Sequence, residues 1–301
     1  MKRVLPVLLF TALAFSSAAQ ETLLKPFILA EKGAGEAGAK VGEVKQKLTG
    51  AGFEVIGEYS PYPAATVVVV TSDALKQNAA QTDYGGFGAA LRVTVTSAGD
   101  AVQVAYTNPV YMAHVYRMKS DLADVATAMR SALGDQGEYG PEEGLTAEKL
   151  SEYHYKWLMP YFYDRLNLVE YAVYQNAIKA VEAALAAQKG GVSKVYRVDI
   201  PGKEQTLYGV QIHGSDSITK CGGDQYIMER IDFKDVKSTP HLPYEMLVVG
   251  GTVYALPAEF RIAISFPDLS MVGSNSFASI MCAPSAVEAA LTEGAGGKLE
   301  E

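Results

Sequence analysis

Short apolar runs, several of them alternating with polar residues, predict a series of strands along the first half of the chain. A strand that buries one face has apolar residues at every second position. Helical spacing, with apolar positions three and four residues apart, separates these runs and extends from Pro109 to Leu133. The predicted strands are residues 23–30, 53–59, 66–71, 90–96 and 102–107. The predicted helices are residues 39–48, 73–81 and 109–133, and Ser120 with Asp121 is a candidate cap for a second helical segment within the last of these. Because short turns join neighbouring strands, we expect a largely antiparallel sheet.

The second half repeats this order, which predicts a duplicated module. Residues 102–118 and 260–271 share a layout in which an apolar strand runs into a proline and helical spacing follows. The second half has predicted helices at 172–188, 224–233 and 277–291, the last interrupted at Pro284, and predicted strands at 194–200, 205–212, 244–250 and 259–266. We therefore predict an α+β fold of two similar modules, each a mainly antiparallel sheet with helices packed on one face.

Composition along the chain predicts where the modules begin and end. We place the first module at residues 21–136 and the second at residues 169–301. Residues 137–168 begin with a glycine-rich stretch that is typical of a linker and continue as an aromatic-rich segment. This linker is the part of the chain that the duplication does not explain.

The first residues predict export. Residues 1–19 combine a basic start, an apolar run and small residues, which is typical of a secretory signal peptide. The apolar run is shorter than the roughly 20 residues that cross a bilayer, and no later stretch is apolar enough to do so. We therefore expect a periplasmic or secreted protein without an integral membrane segment after cleavage.

The charge balance excludes one class of partner. The chain carries a net charge of −8 and has no cluster of basic residues. Nucleic acids and anionic membrane surfaces are bound by clustered lysine and arginine side chains. We therefore expect no nucleic-acid partner, and a small ligand or a periplasmic protein becomes the better expectation.

Four segments resemble the bacterial family catalogued as domain of unknown function 302. They are AGFEVI at 51–56, the strand–Asn–Pro junction within 102–118, LPAEFRIAISFPDLSM at 256–271 and SIMCAPSAVEAAL at 279–291. The resemblance covers most of the chain after the signal peptide, twice over. It implies an α+β antiparallel-sheet module that is often a dimer, so that two tandem copies would form a pseudo-dimer within one chain. The family has no established reaction, and the resemblance therefore assigns no catalytic residue.

The aromatic part of the linker is the first candidate for a ligand site. Tyr155, Trp157, Tyr161 and Tyr163 crowd around Pro160. Aromatic rings between two modules can line a ligand pocket or dock a partner. Alternatively, the rings pack the two modules together. The sequence favours no single ligand.

A second candidate is a copper site at Met112, His114 and Met118. Thioether and imidazole ligands suit copper, which an exported protein can meet. On one helix, His114 and Met118 share a face whereas Met112 points nearly opposite His114, so the three converge only if the helix begins after Met112. The alternative is two core methionines beside a half-buried histidine.

The two cysteines are a third candidate. Cys221 and Cys282 predict one disulfide in an oxidising compartment, and the alternative is a free thiol at Cys221. Together with His213 and His241 they can also be considered as metal ligands, but the short spacing typical of such sites is missing.

No motif identifies a catalytic reaction. The glycine pattern at residues 33–38 matches dinucleotide-binding loops, but charged Glu31 and Lys32 end the preceding strand and antiparallel pairs follow. We therefore expect a non-enzymatic binding or accessory protein that holds a ligand or partner between two modules. Two alternatives stay open: a copper or redox-handling protein that uses methionine, histidine and cysteine, and an enzyme of unrecognised type.

Overall fold

The computed structural model describes residues 22–157 and 159–299, which form two antiparallel sheets flanked by helices. The predicted signal peptide, residues 1–19, lies outside these described ranges. The predicted α+β class is confirmed. In the described ranges, no helix combines the length and the apolar character that crossing a membrane demands.

Five strands of the first module and one short strand of the linker form a six-stranded sheet. They are β1 (Phe27–Gly33), β2 (Glu54–Tyr62), β3 (Ala65–Thr71), β4 (Leu91–Ala98), β5 (Ala101–Thr107) and β6 (Glu138–Tyr139). The accompanying helices are α1 (Ala37–Gly50), α2 (Asp73–Gln81), α3 (Pro109–Val115) and α4 (Ala123–Leu133), and the linker adds α5 (Ala147–Ser151). The strands follow the order β2-β3-β4-β5-β1-β6, and every pairing is antiparallel.

Strands of the second module form a five-stranded sheet. They are β7 (Leu166–Glu170), β8 (Val192–Asp199), β9 (Gln205–Ile212), β10 (Tyr244–Val249) and β11 (Thr252–Ala255). The helices are α6 (Tyr174–Ala186), α7 (Asp224–Ile231), α8 (Ala258–Ser265) and α9 (Ala283–Gly294). The strand order β8-β9-β10-β11-β7 repeats the order β2-β3-β4-β5-β1 of the first sheet. The prediction of two similar modules is therefore confirmed.

Local sequence explains where several helices begin. The Ser72 hydroxyl accepts a hydrogen bond from the Leu75 N–H at 3.3 Å, and α2 has the predicted bounds. Asn108 caps α3 in the same way, with Pro109 in its first turn, where a missing N–H has no cost. A cap followed by helical spacing is therefore a dependable signal in this chain.

One predicted element is wrong. Residues 259–266 were expected to form a strand, but residues Ala258–Ser265 form helix α8. Seven of the eight residues of α8 are buried, so the sequence lacks the polar face that distinguishes a helix. The strand that corresponds to β5 is β11, and Pro257 before α8 corresponds to Pro109. The two modules do repeat, but the segment that matches residues 102–118 lies earlier in the chain than the predicted residues 260–271.

The two sheets pack face to face with helices on both outer sides. Helices α1 and α4 cover the outer face of the first sheet, where they contact residues such as Val68 and Val93. Helices α6 and α9 cover the outer face of the second sheet. Residues of both inner faces, including Val69 and Leu207, belong to one continuous apolar core. The fold is therefore a four-layer sandwich whose central interface joins the modules.

Charged side chains are buried at this central interface. Arg92 Nη1 of the first module lies 3.1 Å from Glu245 Oε1 of the second. Arg261 Nη1 lies 3.5 Å from Glu245 Oε2 and donates to the Tyr116 hydroxyl at 2.7 Å. The Tyr196 hydroxyl donates to Glu245 Oε1 at 2.6 Å, and burial, followed by the nearby carboxylate, holds the pKa of Tyr196 well above its usual value. One carboxylate thus serves two guanidinium groups away from water.

Arg92 and Glu245 occupy matching positions in the two modules. Each is the second residue of its strand, β4 in one sheet and β10 in the other. Gly57 lies on β2, two strands away from Arg92 in the same row of paired residues. Tyr196 lies on β8, two strands away from Glu245 in the corresponding row of the second sheet. A Cβ added at Gly57 would lie 2.9 Å from the Tyr196 Cβ. Arg92 and Glu245 therefore form a facing pair of opposite charge, and Gly57 and Tyr196 form a facing pair of opposite size.

The predicted disulfide between Cys221 and Cys282 is confirmed. The two Cα atoms are 5.8 Å apart, which suits the bond. Cys221 lies in the 3-10 turn Lys220–Gly222, and Cys282 precedes the first residue of α9. The disulfide therefore fastens the start of α9 to the segment that leads into α7.

A buried carboxyl group also joins the modules. Asp224, in the first turn of α7, is 1% exposed, and its Oδ2 accepts a hydrogen bond from the Tyr59 hydroxyl at 3.2 Å. Burial raises the pKa of Asp224 to about 8, although hydrogen bonds from Tyr59 and from the Ile212 backbone favour the ionised form. Asp224 is therefore expected to keep its proton at neutral pH.

We predict that Asp224→Asn makes stability less dependent on pH. In the wild type, the folded state holds the Asp224 proton up to about pH 8, whereas the unfolded state loses it near pH 4. The free energy of unfolding therefore falls, through Asp224, as the pH rises from about 4 to about 8. Thermal melts at intervals between pH 5 and pH 9 should show the variant gaining on the wild type as the pH rises. The exposed Asp235→Asn variant is the control, and parallel curves for Asp224→Asn and the wild type would contradict the assignment.

Candidate ligand-binding site

A cavity of about 530 Å³ lies where the linker meets the second module. We call it the aromatic groove. Its lining comes from the linker, from the beginning of α8 and from the beginning of α9: His154, Trp157, Met159, Pro160, Tyr161, Asp164, Leu166, Pro257, Glu259, Pro284 and Glu288. This volume falls in the range of small-molecule sites.

Two tyrosines of the linker hold this segment against the second module. The Tyr153 hydroxyl donates to the Ala263 carbonyl oxygen at 2.8 Å. The Tyr155 hydroxyl donates to the Leu269 carbonyl oxygen, and the Tyr155 ring lies 5.2 Å from the ring of Phe277. Part of the aromatic segment therefore has the packing role that the sequence left open as an alternative.

Further rings form a stack beside the groove. The ring centroids of His154 and Tyr161 are 4.1 Å apart, and those of Tyr161 and Tyr163 are 4.9 Å apart, with 9° between the planes in each pair. The Arg117 guanidinium lies 5.2 Å from the centroid of Tyr163. Since Tyr161 lies between two rings, a ligand in the groove would contact its edge.

Trp157 offers the free aromatic surface of the groove. Its side chain is 85% exposed, which is unusual for so large an apolar group. An exposed indole at the rim of a cavity can cover an apolar ligand or the face of a cation. Trp157 is also the single tryptophan of the chain.

Carboxylates supply the polar character of the groove. Glu259 lies in the first turn of α8 and Glu288 lies on α9. Asp164 directly follows Tyr163 in the chain. Burial, and then the negative charge of Glu288, raises the pKa of Glu259. The described residues that line the groove include no lysine and no arginine. The groove is therefore an acidic site with aromatic and proline walls.

Two of the four residues predicted to bind a ligand lie in this groove. Among the predicted ligand-binding residues, Trp157 and Tyr161 line the groove, whereas Tyr155 and Tyr163 lie outside its lining. The acidic wall was missed, because Glu259 and Glu288 come from helices far away in the chain. The sequence of α8 or of α9, taken alone, does not indicate that acids from the two helices line one cavity.

The structure does not bring the predicted copper ligands together. Helix α3 begins at Pro109, before Met112, so Met112 and His114 point in nearly opposite directions. Met112 is buried in the core. Met118 lies after the end of the helix and packs closely against Gly88, where an added Cβ would lie 2.7 Å from the Met118 Sδ. Convergence needed a later start of the helix, and that condition is not met.

The histidines and cysteines also lie in separate surroundings. His241 is buried, with Nδ1 2.9 Å from the Ser265 hydroxyl, and His213 Nε2 lies 2.8 Å from the Ser193 hydroxyl. The two sulfur atoms are bonded to each other. Over residues 22–157 and 159–299, no group of three or more histidine, cysteine, aspartate or glutamate side chains could hold a metal ion.

The glycine pattern at residues 33–38 lacks the topology of a dinucleotide site. It does connect a strand, β1, to a helix, α1. However, β1 pairs antiparallel with β5 and β6, whereas a dinucleotide fold needs parallel neighbours on a βαβ unit. These glycines therefore form an ordinary entry to α1.

Comparison with known proteins gave no match. No protein-family model, no curated protein and no solved structure matches the chain. The geometry of the aromatic groove is therefore the main guide to function.

Proposed function

We propose that the protein is an exported binding protein that holds a small organic cation in the aromatic groove. The observation that carries the proposal is the combination of Asp164, Glu259 and Glu288 with the exposed Trp157 in one cavity. The disulfide between Cys221 and Cys282 is compatible with an oxidising compartment. A module of the domain of unknown function 302 type remains our proposal for each half.

The charges of the groove favour a cation over a neutral or anionic ligand. Burial is the largest cause of the raised pKa of Glu259, and the negative charge of Glu288 adds to it, so the two carboxylates repel each other. A cation between the two carboxylates would remove this repulsion and replace it with attraction. An anion would meet further negative charge, so the groove should exclude it.

The remaining walls suit the body of such a ligand. The indole face of Trp157 can contact an ammonium group through a cation–π interaction, which contributes about 0.5–2 kcal/mol. Met159, Leu166 and Pro257 provide apolar surface next to the acids. A quaternary ammonium compound, or an amine on an apolar body, therefore fits the groove better than an inorganic cation.

We expect choline to bind and to change the fluorescence of Trp157. Because the chain contains one tryptophan, its tryptophan emission reports on the surroundings of Trp157 in this groove. Dimethylbutanol, in which carbon replaces the charged nitrogen of choline, is the matched neutral ligand. Choline should shift the emission in a saturable way, dimethylbutanol should bind about tenfold more weakly or not at all, and salt should weaken choline binding.

Variants of the acidic wall complete this experiment. Glu259→Gln and Glu288→Gln should each weaken choline binding by about fivefold or more, because each removes one attractive charge. Glu143→Gln, which changes an exposed acid of the linker, is the control. Equal affinity for choline and dimethylbutanol, or no effect of either groove variant, would exclude a cation site.

A further inference from the structure

A second cavity, of about 310 Å³, lies at the junction of the two modules. We call it the junction cavity. The turn between β2 and β3 and the end of β4 line one side, and α7 with the loop that follows it lines the other. It shares no lining residue with the aromatic groove. Both modules contribute to the lining of this cavity, and the aromatic segment takes no part in it.

Hydrogen bonds across the modules fix the polar wall of the junction cavity. The Thr96 hydroxyl donates to Thr239 Oγ1 at 3.0 Å, and the Thr239 hydroxyl lies 2.9 Å from the Tyr62 hydroxyl. Thr96 and Tyr62 belong to the first module and Thr239 to the second. The wall is therefore organised before any ligand arrives, which lowers the entropic cost of binding.

Groups of opposite charge lie in the same lining. Both carboxylate oxygens of Asp232 accept from the Ser238 N–H at 3.0 Å. Lys237 Nζ donates to the backbone carbonyl oxygen of Asp232 at 3.1 Å. Each Asp232 oxygen keeps a free lone pair, and the ammonium group of Lys237 keeps further N–H donors. Glu229 on α7 adds a second carboxylate at the rim.

Part of the lining is apolar. Tyr62, Pro63, Ala64 and Met228 contribute apolar surface to the same cavity as the charged groups. Such a surface favours an aliphatic group through the hydrophobic effect. The cavity thus presents an acceptor for an ammonium group, a donor for a carboxylate and a surface for a hydrocarbon chain.

We propose that the junction cavity binds a small zwitterion, an α-amino acid with an aliphatic side chain. Asp232 receives its ammonium group, Lys237 receives its carboxylate, and Tyr62 with Met228 covers its side chain. The proposal is independent of the cation site in the aromatic groove, because the two cavities have different linings and different charges.

Titration calorimetry of the full chain with three ligands tests this proposal. The ligands are L-leucine, L-leucinamide, which keeps the ammonium group and lacks the carboxylate, and isocaproate, which keeps the carboxylate and lacks the ammonium group. We expect saturable binding of leucine and at least about tenfold weaker binding of each of the other two. Equal binding of leucine and leucinamide, or no binding of leucine at about 10 mM, would overturn the proposal.

Single-residue variants assign the roles. Asp232→Asn should reduce the affinity for leucine by about tenfold, and Lys237→Gln should reduce it and also remove the preference for leucine over leucinamide. Lys203→Gln and Glu204→Gln, in the exposed turn between β8 and β9, are the matched controls. Melting curves establish that each variant is folded, and choline-induced fluorescence of Trp157 should be unchanged in all of them. Leucine affinity that is equal in Asp232→Asn and the wild type would exclude this cavity as the site.

Discussion

Replacing Glu245 with glutamine should destabilise the folded protein by about 3–5 kcal/mol. Glu245 is the carboxylate between Arg92 and Arg261, and all three side chains are at most 2% exposed. Glutamine keeps the size of the side chain and removes the charge, so two guanidinium groups stay buried without a counterion. The loss is large because desolvated charges that lack a partner are far more costly than the pair itself is favourable.

Urea denaturation at pH 7 measures this effect. Glu204→Gln, which changes an exposed glutamate in the turn before β9, is the matched control and should change the free energy of unfolding by less than about 0.5 kcal/mol. Adding Arg92→Met to Glu245→Gln should recover part of the loss, because one of the uncompensated charges is then absent. A loss below about 1 kcal/mol in Glu245→Gln would mean that water reaches the pair.

Removing the disulfide should cost about 2–4 kcal/mol of stability. The bond closes a loop whose ends are 61 residues apart, so it restricts the unfolded chain strongly. It also fastens the start of α9, which supplies Pro284 and Glu288 to the aromatic groove. The double variant Cys221→Ser, Cys282→Ser should therefore melt at lower temperature and bind choline more weakly.

Reduction of the wild type provides the control for this prediction. Treatment with dithiothreitol should lower the melting temperature of the wild type to about that of the double variant and should leave the double variant unchanged. Equal melting temperatures of the oxidised wild type and the double variant would show that the bond contributes nothing to stability.

Most of the fold could be predicted from the sequence because local signals agree with the final topology. The cap at Ser72, the cap at Asn108 and the short turns between paired strands determine element boundaries through nearby residues. Helix α8 was missed for a physical reason. It is buried on nearly every side, so tertiary packing rather than an amphipathic pattern stabilises it.

The candidate site could be predicted only in part. Trp157 and Tyr161 are close together in the chain, so a local aromatic cluster indicates their side of the groove. Glu259 and Glu288 reach the same groove because α8 and α9 pack against the linker, and no sequence pattern encodes that meeting. The junction cavity depends in the same way on contacts between modules, and therefore only the structure defines it.

The matching positions in the central interface determine which half of the chain can recognise which. Two copies of the first module, joined through the same surfaces, would place Arg92 against Arg92 and leave a gap where Gly57 meets Gly57. Two copies of the second would place Glu245 against Glu245 and bring one Tyr196 ring into the space of the other. Like charges and like shapes thus oppose self-association of either half. The opposite charges of Arg92 and Glu245 and the opposite sizes of Gly57 and Tyr196 thus make the two modules complementary, and one polypeptide carries both.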